Sequence, residues 1–226
     1  MQYFMRYIKK KNENSLINDF VKILKKEILK KKRRKKRLSF VLTGGASPKN
    51  LYRKLSQANI EWSNVDFFWG DERFVSTSSK NSNYKLVQDL LIRKIKIDKK
   101  NIFPYKTKNI DIIKSAQDYE LKIKRYFQRK KIAFDIFLLG MGNDGHIASI
   151  FPNSRELKQK FITKPIFRKD FKRLTLGLNI INNSKKIFLW LNNESKSLIF
   201  RELKKRGKKI PVNNLKKTKL YFFCIN

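Results

Sequence analysis

Histidine, cysteine and acidic side chains are all scarce in this chain. Of its 226 residues one is histidine, His146, and one is cysteine, Cys224. A single cysteine excludes an intramolecular disulfide and a cysteine-based zinc site. With one histidine beside it, the usual metal-ligand set is missing, so neither a metal nor a cofactor is expected. A reducing cytoplasm fits the lack of disulfides. No apolar run approaches the ~20 residues of a membrane helix, so no membrane partner is expected. The opening MQYFMRYIKKKNENS has no continuous apolar core and no small-residue cleavage site of a secretory leader. Proline is rare, and no Pro/Gly/Ser-rich linker interrupts the chain. One domain over residues 1–226 is therefore expected, with a monomer favoured.

The shortage of acids is the largest imbalance: 18 Asp and Glu against 55 Lys and Arg, a formal net charge of +37. Such a balance fits a nucleic-acid or anionic-membrane binder. It also fits compositional drift, because lysine far exceeds arginine and Asn, Ile and Phe are abundant, all residues with A/T-rich codons. The basic residues are spread along the chain without evident interleaved stacking aromatics. The sequence therefore favours drift: no specific nucleic acid is expected, and non-specific polyanion binding stays open. Hydrophobic residues make up 41% of the chain, enough for a sizeable core.

What is present is organised around Phe134 to Pro152, FDIFLLGMGNDGHIASIFP. An apolar run (Phe134, Ile136 to Leu139) reads as a buried central strand. It passes through Gly140, Gly142 and Gly145 towards what reads as the opening of a helix. His146 sits in this turn, two residues after Asp144. In open α/β sheets, ligands bind outside the carboxyl ends of the strands. A lone histidine is also often a satisfied core residue, and position alone does not decide between the two.

Residues 13–29 carry an amphipathic helix pattern in Ile17, Phe20, Val21, Leu24 and Ile28, with Asn14 or Ser15 able to cap its start. The helix runs into Lys30 to Arg37, eight consecutive basic residues, read as a solvated helix end in preference to an RNA-binding or nuclear-localisation block. Leu38 to Leu42 reads as a strand, followed by Thr43-Gly44-Gly45-Ala46-Ser47-Pro48 and a helix to about Ala58. Strand, glycine turn and helix start suit a phosphate cradle, and equally a tight βα turn. Val65 to Trp69 is a second buried strand. It ends in Gly70-Asp71-Glu72-Arg73, either a surface salt-bridge cluster or a site. Ser76 to Tyr84 reads as a polar cap or lid, Tyr84 to Lys94 as helix, Ile102 to Tyr105 as a short extended piece and Ile110 to Arg129 as a long helix. Arg155 to Lys172 reads as irregular. Arg173 to Ile180 and Ile187 to Leu191 read as strands. A helix follows through about Lys205, and Leu220 to Ile225 closes the sheet. The βα alternation predicts a doubly wound α/β fold with a mostly parallel sheet and helices on both faces.

Four segments resemble, in order, one family. They are Thr43 to Pro48, Trp69 to Arg73, Gly140 to Pro152, and Arg173-Leu174-Thr175 with Glu194-Ser195-Lys196. The chain is similar over roughly residues 38–200 to 6-phosphogluconolactonase, in the superfamily shared with glucosamine-6-phosphate deaminase. The resemblance implies a Rossmann-like fold and a phosphosugar lactone as substrate. It implies His146 as general base and Asp144 as the carboxylate that orients it, with Arg73 facing either the oxyanion or the phosphate. Backbone N–H groups of the 140–146 turn are other oxyanion candidates. It further implies a phosphate site at Gly44, Gly45, Ala46 and Ser47 with Arg173 and Lys196. Asp71 would bind a sugar hydroxyl or hold Arg73. The deaminase branch has a ring-opening glutamate just before the proline that closes the third segment, and here that residue is Phe151. This favours lactone hydrolysis over the alternatives, a glucosamine-6-phosphate deaminase or a basic nucleic-acid-binding protein.

Overall fold

The computed structural model describes residues 6–205 and 210–225. The first five residues, read above for a leader, and residues 206–209 and 226 near the end lie outside this range. The main layer is a seven-stranded sheet in the order β1-β10-β9-β6-β2-β3-β5, with every neighbouring pair parallel. Its strands are β1 (Arg6–Lys10), β2 (Leu38–Leu42), β3 (Val65–Trp69), β5 (Ile102–Phe103), β6 (Ile136–Leu139), β9 (Lys186–Leu191) and β10 (Leu220–Ile225). The helices are α1 (Glu13–Lys32), α2 (Lys49–Gln57), α3 (Asn83–Leu90), α4 (Ile112–Tyr126), α5 (Leu178–Asn183) and α6 (Glu194–Lys205). A second sheet, antiparallel, has the order β4-β8-β7: β4 (Asp71–Arg73), β8 (Lys172–Leu176) and β7 (Thr163–Phe167). No helix among the described residues is long and apolar enough to cross a membrane.

The inner strands are apolar on both faces because helices cover both: β2, β3 and β6 are buried along their whole length. Aromatic rings fill the interior. Phe20 of α1 meets Phe188, Trp190 and Phe223 edge-on at 5.2–5.9 Å between centroids. The strand order explains where a site can form. From β2 the chain runs outward through β3 and β5, then returns to β6 on the other side of β2 and continues to β9 and β10. The loops after β2 and β6 therefore part company at the sheet's switch point and leave a crevice between them.

Several expectations change. The segment after Gly145 is not a helix opening. Ile147 forms isolated bridges with Met141 and Ile150, which fold the turn back on itself. Residues read as irregular contain β7, whose one strand partner among the described residues is β8, so its pattern shows little alternation. The strand begun near Arg173 stops at Leu176, and α5 follows from Leu178 with Gly177 at its N-cap. β10 does not close the sheet: β1, short and basic, is the edge strand beside it, and its charges hide it from a reading of apolar runs. Asn12, not Asn14 or Ser15, caps α1, its side chain accepting the Ser15 N–H at 2.9 Å. α1 itself continues through Lys32, since lysine is a good helix former and nothing breaks the run. The helix read as Tyr84 to Lys94 is α3 followed by a separate 3₁₀ turn, Ile92–Lys94.

At the opposite end of the sheet from the crevice, Asp135 ties three elements together. It is 5% exposed, accepts the N–H and hydroxyl of Ser39 at 3.0 and 3.1 Å, and pairs with Lys31 and Lys185, each at 2.7 Å. Burial alone would raise its pKa, but the bonds from Lys185, Lys31 and the Ser39 N–H outweigh this and hold it below the usual range. A depressed carboxylate contributes stability above its unfolded pKa of ~3.9 and loses it as the pH falls through the folded value. Asp135→Ala strands two buried donors and the Lys31 charge, so urea unfolding at pH 7 should show a loss of about 3 kcal/mol. The gap between variant and wild type should narrow below about pH 4. A loss under half a kcal/mol at pH 7 would show that the cluster does not hold the sheet.

Candidate active site

The crevice holds a polar cavity of about 200 Å³. Its lining brings together Gly44 to Ser47, Asp71, Arg73, His146, Arg173 and Lys196, every residue singled out from the sequence except Asp144, which binds His146. Thr43, Asn83, Gly140, Met141, Gly142 and Ala148 complete the wall. A larger cleft, about 270 Å³, lies between α6 and the β1–β10 edge, but it is mainly apolar and lacks convergent polar groups.

Two buried tyrosines fix the strand ends that carry the loops. The Tyr52 hydroxyl accepts the Thr43 N–H at 3.0 Å and donates to the Thr43 carbonyl at 2.6 Å. Tyr119 does the same for Trp69, at 2.8 and 3.0 Å. Gly45 then turns with φ +86°, a conformation that L side chains rarely adopt, and α2 begins three residues after Ala46. Pro48 stands one residue before the helix. The loop Gly44 to Ser47, which leads into α2, thus lines the cavity.

His146 Nδ1 lies 2.6 Å from Asp144 Oδ1, and the same oxygen accepts the His146 N–H at 3.2 Å. Burial would raise the Asp144 pKa, but the His146 charge and hydrogen bonds hold it below the usual range. An ionised Asp144 accepts a hydrogen bond from the Nδ1–H of the neutral ring, which leaves the lone pair on Nε2. The Phe151 ring packs 4.7 Å from the imidazole, and the Arg168 guanidinium lies 4.2 Å above the Phe151 ring. Backbone donors of the turn are largely engaged within it. Gly142 N–H donates to the His146 carbonyl at 2.9 Å and Gly145 N–H to the Gly142 carbonyl at 3.0 Å.

Arg73 and Arg173 are direct cross-strand partners on β4 and β8. Like charges in that position repel. Arg73 donates to the Asn81 carbonyl at 2.9 Å, and Arg173 pairs with Asp170, which is half exposed. Both Nε groups are buried without a partner. Lys196, in the first turn of α6, reaches back to the Met141 carbonyl at 3.0 Å and to Asn143. Burial lowers its pKa, and the Asp144 charge opposes that shift. Asp71 does not hold Arg73: its Oδ2 accepts the Ser149 hydroxyl at 2.8 Å, and its carbonyl accepts Asn83 Nδ2 at 2.9 Å. Ser149 and Asn83 were missed by sequence reasoning. Ser149 lies inside the third motif, while Asn83 gave no sign beyond its place in a polar loop. Among the described residues, no group of three or more His, Cys, Asp or Glu could hold a metal ion.

Residues 11–222 match the model of the glucosamine-6-phosphate isomerases/6-phosphogluconolactonase family. The chain belongs to this family. A 6-phosphogluconolactonase of Synechocystis is 35% identical over 164 residues, covering 70% of this chain and 68% of the relative. The crystal structure of a 6-phosphogluconolactonase from Thermotoga maritima superposes with a TM-score of 0.81 at 24% identity, covering 97% of this chain and 98% of that one. A solved monomeric glucosamine-6-phosphate deaminase also reaches 0.81, at 21% identity over 98% and 97% of the two chains. The fold is thus common to both branches and does not choose between them.

Glu72 organises the loop over the cavity. It is buried, and its carboxylate accepts the N–H of Arg73 (2.8 Å), Asn83 and Tyr84 (both 2.7 Å) and the Ser82 hydroxyl (3.2 Å). Burial pushes its carboxyl up to about 7, against the pull of those N–H groups. Because the folded value lies above the unfolded ~4.3, the folded state binds more protons between these limits. This residue's contribution to stability therefore rises as the pH falls from 7 towards 4.3. Urea midpoints compared at pH 5 and pH 8 test this. Wild type minus Glu72→Gln should be more favourable to wild type at pH 5, and a difference independent of pH would contradict the raised pKa.

Proposed function

We propose that this chain hydrolyses 6-phospho-D-glucono-1,5-lactone to 6-phosphogluconate, the lactone-opening step of the oxidative pentose phosphate pathway. One observation carries the reading: a His146–Asp144 pair at 2.6 Å opens on the same cavity as two facing arginines. Phe151 occupies the position where the deaminase branch has its ring-opening acid, and a lactone needs no ring opening before attack. The relatives named 6-phosphogluconolactonase support the same choice.

His146 Nε2 takes a proton from water as the water oxygen bonds to C1 of the lactone. The tetrahedral oxyanion collapses, the bond from C1 to the ring oxygen breaks, and the imidazolium returns its proton to that oxygen. The new carboxylic acid then ionises. Asp144 holds the ring and stabilises the imidazolium while it carries the proton. Arg173, Lys196 and the N–H groups at Gly45 to Ser47 hold the phosphate. Arg73, directly across from Arg173, joins them, so the repulsion between the two cations is relieved by the bound dianion. Asp71, fixed by Ser149 and Asn83, accepts a sugar hydroxyl. The whole chain acts as one domain in a reducing cytoplasm. In support, β1 and β10 from the two ends of the chain pair with each other, and the one cysteine is free and buried.

The test is a coupled assay that oxidises 6-phosphogluconate, with spontaneous hydrolysis subtracted, beside an ammonia assay on glucosamine 6-phosphate. Lactonase turnover without ammonia release is expected; ammonia release would move the chain to the other branch. Arg173→Ala and Lys196→Ala should raise KM roughly tenfold or more and lower kcat less. Unchanged KM values would remove both from the phosphate site. Arg73→Ala should follow the same pattern, and a fall confined to kcat would place Arg73 at the carbonyl instead.

A further inference from the structure

The parallel sheet gathers part of the positive charge at its other end. Because β2, β6, β9 and β10 run in one direction, the residues that enter them share one face, opposite the cavity. Arg33 to Lys36 lead into β2, Lys131 into β6, Lys185 into β9, and Lys216 and Lys219 into β10. All are exposed except Lys219, which is half-buried. The four strands are consecutive in the sheet, so the entries span about 14 Å at ~4.8 Å per strand.

These loops are close in fact, not only by topology. Lys31 and Lys185 share Asp135. The Lys219 ammonium is pushed down first by burial and then by the charges of Lys216 and Lys131. The acids on this face are already used: Asp135 by two lysines, Asp66 by Arg37, and Glu61 by Lys32. Among the described residues, no ion pair involves Arg33, Arg34, Lys35, Lys36, Lys131 or Lys216. The stripe therefore carries a surplus of cations. Apolar side chains in the same loops, Ile132, Phe134 and Leu215, are buried, so these loops lack the apolar insertion that membrane-surface binding uses.

We infer that this strand-entry face binds nucleic acid through its phosphodiester backbone, without reading sequence, and independently of the cavity. Neutralising phosphates releases condensed counterions, so the affinity falls with the logarithm of salt concentration at a slope of about −0.9 per phosphate on duplex DNA.

Fluorescence anisotropy with a 20-base-pair DNA duplex, between 50 and 200 mM salt, tests the inference on the full chain. One variant carries Arg33→Gln, Arg34→Gln, Lys131→Gln and Lys216→Gln. A control removes four exposed charges elsewhere, by Lys11→Gln, Lys108→Gln, Lys114→Gln and Lys160→Gln. The first should weaken binding at least tenfold at 100 mM salt and flatten the salt slope by about 3.6. The control should change affinity less than threefold, and both should keep wild-type lactonase activity. Equal losses in the two variants would show diffuse attraction and overturn the assignment. So would failure of the wild type to bind the duplex, or tighter binding to vesicles of anionic phospholipid than to the duplex.

Discussion

At Gly142 a single added carbon would stand 2.3 Å from the His146 ring and 2.6 Å from Asp144. At Gly44 it would stand 1.7 Å from the Asn83 amide oxygen. Such contacts lie well inside van der Waals distance, so bare backbone at these two points is the condition for the rest of the site. Gly142 lets the turn close tightly enough for one Asp144 oxygen to meet both the backbone N–H and Nδ1 of His146. Gly44 admits Asn83, which in turn holds the carbonyl of Asp71. Tyrosine hydroxyls pin the ends of β2 and β3, which lead into Gly44 and Asp71, and the switch in strand order keeps the crevice open.

The cavity and its cations then follow from a second layer. Gly70 carries the chain from β3 in the parallel sheet to β4 in the antiparallel one, where β8 sets Arg173 opposite Arg73. Glu72, between Asp71 and Arg73, faces the other way and captures the start of α3. Three consecutive residues thus divide between the cavity, which Asp71 and Arg73 line, and the loop that Glu72 anchors. A strand delivers that division because alternate side chains leave it on opposite faces.

The inner sheet was legible because its strands are continuous apolar runs between glycine turns, and the His146–Asp144 pair because its members lie two residues apart. What stayed hidden depends on distant register. Nothing local says that Arg73 and Arg173 share a strand pair, that Ser149 meets Asp71 across 78 positions, or that Glu72 reaches Tyr84. β1 and β7 were lost for another reason: each pairs with a strand on one side only, and lysines and a proline mask their pattern. The basic residues looked scattered for the same topological cause, since only a parallel sheet places the approaches to β2, β6, β9 and β10 together. The cavity gathers its charge at the strands' carboxyl ends and the basic stripe lies at their amino ends, so one fold carries two separate cationic surfaces.

The central claim is that the glycine turn holds a working base. The most direct measurement is kcat for lactone hydrolysis by His146→Ala, corrected for spontaneous opening, with circular dichroism confirming the fold. A loss of at least about 10²-fold in kcat is predicted, the scale of positioned general-base catalysis. A folded variant turning over at the wild-type rate would contradict the account.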